Sequence, residues 1–158
     1  MKKEVLIEVI TALMILLFLY ASFSKLVNIA AFVHSMQNQP FPKWFATLIV
    51  WTLPATEIAV SAMLVFEKTR LLGYYLFIGL MSAFSLYIGA ILLHFFPYVP
   101  CTCGGVIQLL GWWQHLVFNL VFVFLAAFGL YRLKNGAISH KIEVARSLKL
   151  TTGEHKNS

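Results

Sequence analysis

The sequence predicts an all-α integral membrane protein, a bundle of four transmembrane helices with both termini on the cytoplasmic side. Three observations predict it. Hydrophobic residues make up 60% of the 158-residue chain and charged residues only 11%, against about 25% charged in an ordinary soluble domain. The apolar residues gather into four long runs with short polar stretches between them, and mean hydropathy is +0.82. Lys and Arg are distributed very unevenly over the ends of those runs.

The four runs cover about residues 5–27, 46–66, 72–96 and 112–131. Each is close to the roughly 20 residues that cross a hydrocarbon layer as a helix, and a segment of this length satisfies its own backbone in lipid only as a helix. The first is too long for the apolar core of a signal peptide and no small-residue cleavage site follows it, so it reads as a retained span. The second carries Pro54, and the third begins just after Lys68 and Arg70. The fourth is short when counted from His115 to Tyr131, and Gly111, Trp112 and Trp113 extend it into the interface. Residues 1–132 therefore form one membrane domain, and residues 133–158 form a basic tail. In that tail Ile138, Ile142, Ala145 and Leu148 recur at helical spacing. Two readings stay open for it: a short helix lying on an anionic inner leaflet, or a frayed, solvated tail that only enforces topology. From Thr151 on the residues read as disordered. Nothing in the chain suggests a separate soluble domain, an internal repeat or a nucleotide motif.

Orientation follows from the basic residues. Lys2, Lys3, Lys68, Arg70 and the tail put ten Lys and Arg on one side; Lys25 and Lys43 are the two on the other. The positive-inside rule makes the first side cytoplasmic. Net charge is +6, but this distribution explains it by topology, and nucleic acid is not an expected partner; the lipid bilayer is. The loop between the third and fourth spans faces outward. Trp44, Trp112 and Trp113 gather near that face, as an aromatic belt does.

That outward loop holds the only two cysteines, in Cys101-Thr102-Cys103-Gly104-Gly105. In an oxidising compartment such a pair can form, pass on or reshuffle disulfides. A disulfide over one intervening residue strains the usual geometry, which makes it easier to reduce and a better oxidant. It also closes almost no loop and so is a poor structural staple. Gly104 and Gly105 permit a sharp turn beside it, and Pro97 and Pro100 stiffen the approach. Two inert thiols are the plain alternative. His94 and His115 bracket the loop and are candidates to lower a thiol pKa or move a proton, or else are interfacial histidines bonded to backbone. Cys101, Cys103, His94 and His115 can also be drawn as a zinc site, but the C-x-C spacing is narrower than structural zinc uses, and no metal is expected. His34 is a weaker candidate for any role. In a small membrane bundle a quinone is the natural electron partner, and Phe95, Phe96, Tyr98, Trp112 and Trp113 supply rings close to the cysteines on which it can stack.

Two charges fall inside the spans. Glu57 lies near the middle of the second span, three residues after Pro54, and Lys25 lies near the outer end of the first. A charge at the bilayer centre costs at least ~2.5 kcal/mol on insertion scales. Either Lys25 and Glu57 pair, directly or through water, or Lys25 snorkels outward while a neutral Glu57 bonds to a neighbouring helix. Glu8, near the inner end of the first span, reads as snorkelling to the interface. Asn119 lies one turn after His115 on the same face. It reads as a packing residue, as do Ser22, Ser24, Ser82 and Ser85, while Gly79 and Gly89 read as points of close helix approach.

Several of these pieces occur together: Phe23-Ser24-Lys25, Pro54-Ala55-Thr56-Glu57, Cys101-Thr102-Cys103-Gly104, and His115 to Asn119. In this the chain resembles the MauE branch of the DoxX-like membrane proteins over roughly residues 5–132. The resemblance implies a four-helix architecture similar to DsbB and vitamin K epoxide reductase proteins, and a redox-associated role in a bacterial inner membrane with the cysteine loop facing the periplasm. It implies Cys101 and Cys103 as the redox pair, Lys25 and Glu57 as an intramembrane polar pair, and a thioredoxin-like periplasmic protein or cysteine-containing client as partner. The expected function is that of a quinone-linked membrane thiol–disulfide oxidoreductase. Its main rival is a non-catalytic integral subunit of a larger membrane complex, which would tolerate loss of both cysteines. A third reading is a small-molecule or lipid-binding bundle centred on Glu57.

Overall fold

In a computed structural model that describes residues 2–40, 42–95 and 111–154, the chain folds into five α-helices: α1 (Lys2–Val27), α2 (Ile29–Gln37), α3 (Lys43–Val65), α4 (Glu67–Leu92) and α5 (Trp112–Glu154). No strand occurs among the described residues. Four helices are long and apolar enough to cross a membrane, over Val5–Val27, Lys43–Val65, Glu67–Leu92 and Trp113–Gly136. They alternate in direction, because α3 and α4 meet in a tight hairpin and the undescribed 96–110 segment joins the far end of α4 to α5. One end of the bundle therefore carries the α3–α4 turn, and the other carries α2, the end of α4 and the start of α5.

The boundaries differ from the sequence reading in informative ways. The third span starts at Glu67, five residues before the expected 72. Lys68 and Arg70 belong to its first turn, not to a loop, since Phe66 alone separates α3 from α4. Side chains close this turn: Thr69 Oγ1 donates to the Met63 carbonyl (2.9 Å) and Arg70 Nε to the Leu64 carbonyl (3.2 Å). These satisfy the last carbonyls of α3, which have no partner inside their own helix. Arg70 Nη1 also meets Glu8 Oε1 at 2.7 Å, so Glu8 is paired across helices instead of snorkelling alone. At the tail, α5 runs unbroken through Glu154, the last residue described.

Helix α2 is an element the sequence reading left as outer loop. Ile29, Phe32, Val33 and Met36 follow the i, i+3, i+4, i+7 pattern of an apolar stripe, and Phe32 and Met36 are buried against Ala46 and Val50 of α3. The chain bends out of α1 at Asn28 (φ −109°, ψ 42°), whose carbonyl then accepts from Phe32 N–H.

Lipid tails are as apolar as leucine, so helices associate in membranes through close packing and interhelical hydrogen bonds. The closest packing is at the hairpin end. Ile10, Met14, Phe18, Val60, Leu64, Tyr74, Phe77, Met81 and Ala126 form one buried cluster, with the Phe18 and Phe77 rings stacked at 4.3 Å. The Tyr74 hydroxyl lies 2.8 Å from Thr11 Oγ1, which is also 2.8 Å from the Ile7 carbonyl. Close approach is made at Gly73 and Gly129. A Cβ at Gly129 would stand 2.8 Å from Tyr74 Cε1, and one at Gly73 would stand 3.0 Å from Leu64 Cδ2. At Gly79 and Gly89, where close packing was expected, a Cβ would meet no heavy atom within 4 Å.

Helix α4 ends in a Schellman motif. Phe95 N–H donates to the Ala90 carbonyl and His94 N–H to the Ile91 carbonyl, with His94 at φ 59°. An L-residue in this left-handed region carries a cost of ~1–2 kcal/mol that glycine does not. His94→Gly is expected to raise the thermal midpoint of the detergent-solubilised protein, a gain of up to about 1 kcal/mol, and His94→Val to lower it. Equal midpoints for all three proteins would contradict this account of the α4 terminus.

Candidate functional site

The end of the bundle opposite the α3–α4 turn is not filled. A cavity of about 500 Å³ lies between α1, α2, α3, α4 and the start of α5. Phe18 and Met81 of the buried cluster form its floor, and Phe32 and Met36 of α2 close it from the other side. The rest of its wall is mostly apolar, with the rings of Phe45, Phe84, Tyr87 and Phe118 facing it. Tyr87 donates its hydroxyl hydrogen to Gln39 Oε1 just beyond α2, and Gln39 Nε2 donates to the Ser35 carbonyl at 3.3 Å. This tie holds α2 over the cavity.

The polar part of the wall is small and concentrated. Lys25, one turn beyond Ala21 on α1, and Glu57, one turn beyond Leu53 on α3, meet inside the bundle. Lys25 Nζ donates to Glu57 Oε1 at 2.7 Å, and the two residues are 5% and 3% exposed. Lys25 Nζ also reaches the Ala21 carbonyl at 3.4 Å. Of the two readings left open by the sequence, this geometry is the direct pair, with Lys25 turned inward. Pro54 helps to set it. Its carbonyl, one turn before Glu57, accepts from Ser22 Oγ at 3.0 Å, which fixes α1 against α3 one turn from Lys25.

His115 and Asn119 add to this cluster from the first two turns of α5, where they lie one turn apart on one face. They are 6% and 4% exposed. Glu57 Oε2 and His115 Nδ1 are buried with no hydrogen-bond partner among the described residues. Unpaired polar atoms are rare in apolar surroundings because each forfeits its hydration without return. Two of them in one cavity wall, beside a buried ion pair, mark this as a place built for something other than packing.

The structure thus brings together Lys25, Glu57 and His115 among the residues singled out from sequence. It separates His94, which is exposed at the end of α4 and serves as its cap. Trp113 is 67% exposed and Phe95 72%, and neither lines the cavity. Cys101, Cys103, Phe96 and Tyr98 lie outside the described residues, as does the side chain of Trp112. No group of three or more metal-ligating side chains occurs among the described residues.

The arrangement of four spans with Lys25 and Glu57 facing each other can be set beside known proteins. The family model described as methylamine utilisation protein MauE matches residues 3–132, which covers the first three spans and most of the fourth. The chain belongs to the MauE family. No curated protein and no solved structure matches it. In this MauE-family protein the matched region contains every polar residue of the cavity, and it ends four residues before the fourth candidate span does.

Sequence reasoning missed the cavity and most of its rings. The signal was present as spacing. Phe18, Ala21 and Lys25 on α1, Ile49, Leu53 and Glu57 on α3, and Leu80, Phe84 and Tyr87 on α4 each follow steps of three or four residues. In an all-apolar span such a stripe does not stand out, because lipid-facing positions are equally apolar.

Proposed function

We propose that this MauE-family protein is a membrane thiol–disulfide oxidoreductase whose Cys101–Cys103 pair exchanges with a periplasmic thioredoxin-like protein or cysteine-containing client. The observation that carries the reading is the placement of the cavity, with its small polar cluster, at the end of the bundle where α4 ends and α5 begins. In sequence, the segment with the two thiols joins two helices that line the cavity. The excess of Lys and Arg on the opposite side supports an exoplasmic position for it, and the likeness to the MauE family supports a bacterial inner membrane as its location.

The exchange balances as follows. A client thiolate attacks the Cys101–Cys103 disulfide and forms a mixed disulfide, freeing one cysteine as a thiol. The client's second thiol displaces the other cysteine. The client leaves oxidised, and Cys101 and Cys103 remain as two thiols. Returning them to the disulfide releases two electrons and two protons. A membrane quinone, held by Lys25, Glu57 and His115, would supply the acceptor for both. The residues present fit such a group, since Glu57 Oε2 and His115 Nδ1 are buried polar atoms with unused hydrogen-bonding capacity.

The test is the redox state of Cys101 and Cys103 in native membranes, read by thiol alkylation and mass spectrometry with and without quinone depletion. A disulfide that becomes two thiols on depletion is the expected result. The Cys101→Ser/Cys103→Ser variant, present at normal membrane level, is expected to lose client oxidation down to background. Thiols reduced under both conditions, with full function in the serine variant, would instead make the chain a non-catalytic subunit of a larger membrane complex.

A further inference from the structure

We infer that the cavity between α1, α3, α4 and α5 is a binding site for the head of a lipid-soluble quinone, held by Lys25, Glu57, His115 and Asn119. This rests on the redox reading above, and it moves the expected quinone contacts away from Phe96, Tyr98, Trp112 and Trp113 into the interior of the bundle.

Four observations point to this ligand class. The first is size. A volume of about 500 Å³ lies within the 300–1,000 Å³ range of small-molecule sites, large enough for a substituted ring and the start of a tail. The second is the wall. Six rings line it, those of Phe18, Phe32, Phe45, Phe84, Tyr87 and Phe118, and aromatic faces are favourable platforms for a flat conjugated ring.

The third is charge. The Lys25 and Glu57 charges cancel across 2.7 Å, so the pair leaves no net charge to hold an anionic or cationic headgroup. It does offer unused hydrogen-bonding capacity of both signs. Lys25 has three N–H groups, of which two have partners among the described residues, Glu57 Oε1 and the Ala21 carbonyl. The third can donate to a ring carbonyl. Glu57 Oε2 can accept from a ring hydroxyl, and His115 Nδ1 can do either, according to tautomer. A neutral ring that alternates between carbonyl and hydroxyl oxygens is matched in both of its forms. A fatty acid is not, because its carboxylate would face Glu57.

The fourth is access. Of all the residues that line the cavity, only Thr52 on α3 and Ala83 on α4 are exposed. Both lie in the middle stretches of candidate spans, so this opening faces the hydrocarbon between two helices. A ligand that uses it arrives dissolved in lipid.

The experiment is saturation binding of a benzoquinone with a decyl tail to the purified full chain in nanodiscs, with a photoreactive azido analogue to map the contact peptides. It is run on the wild type, on Cys101→Ser/Cys103→Ser, and on Ala21→Phe and Asn119→Leu. Ala21→Phe places a ring in existing space and leaves the ion pair intact, and circular dichroism and thermal midpoint verify that each variant is folded. The expected result is equal affinity for wild type and the serine variant, at least tenfold weaker binding to folded Ala21→Phe, weaker binding to Asn119→Leu, and labelling on α1, α3 and α5 peptides. Absence of saturable binding to the folded wild type, unchanged affinity in Ala21→Phe, or labelling confined to lipid-facing residues would each overturn the site. The two readings separate cleanly. Quinone binding in the cavity with thiols that ignore quinone depletion retains the site and removes the oxidoreductase. Thiols that respond to depletion without binding in the cavity do the reverse.

Discussion

Glu57→Gln and Lys25→Met are each expected to cost about 3–5 kcal/mol of bundle stability, because either change strands an unpaired partner in a low-dielectric interior. The pair is direct, at 2.7 Å, and both residues are almost fully buried. The Gln variant keeps the shape and loses only the charge, so any loss is electrostatic. The informative protein is the double variant Lys25→Met/Glu57→Leu. Replacing both charges with apolar groups of similar volume removes the uncompensated ion, and stability is expected to return close to wild type. Thermal unfolding in detergent, read together with membrane level, measures all four proteins. If the single variants unfold with the wild type, the pair contributes no stability. If the double variant is as unstable as the singles, the loss is a packing effect and not one of charge.

The second large effect is expected at Gly129. The Cβ it lacks would lie 2.8 Å from Tyr74 Cε1, 2.9 Å from the Tyr74 hydroxyl oxygen and 3.1 Å from Ile10 Cγ2. Tyr74 cannot retreat freely, since its hydroxyl is held against Thr11 at 2.8 Å and its ring is fully buried. Gly129→Val is expected to destabilise by about 1–3 kcal/mol through overpacking, and Gly129→Ala by less. Gly79→Ala, where a Cβ meets open space, is the control and is expected to leave the thermal midpoint unchanged. Tyr74→Leu in the Gly129→Val background should recover part of the loss, a coupling that a double-mutant cycle reads directly. Additive losses would mean that α5 moves as a body and that Tyr74 is not the obstacle.

These two sites show what could and could not be read from the chain. The four spans were legible because bilayer thickness imposes a length, and composition reports it with no knowledge of packing. Lys25 and Glu57 stood out because charges are so costly in hydrocarbon that each one needs an explanation. The choice between pairing and snorkelling was not legible. It depends on the rotation of α1 relative to α3, which Ser22 and the Pro54 carbonyl help to set. The close-approach glycines were misjudged for a related reason. Gly73, Gly79, Gly89 and Gly129 all lie in long helices, and only the three-dimensional arrangement tells which of them faces a neighbour. Helix α2 was missed because nine residues are too few to be recognised against a polar loop, although its apolar stripe is regular. His115 was expected to serve the thiols from the rim. Its position as the first buried residue among those described in α5 places it in the cavity wall, one turn from Asn119.

The α3–α4 turn has a consequence for how the protein is made. With Phe66 alone between the two helices, there is no slack for one to lodge in the bilayer while the other waits in water, so the pair integrates as a single hairpin. Glu57 is carried in with it. By then α1, synthesised first, already presents Lys25. The order of translation delivers the cation to the membrane before the anion that pairs with it.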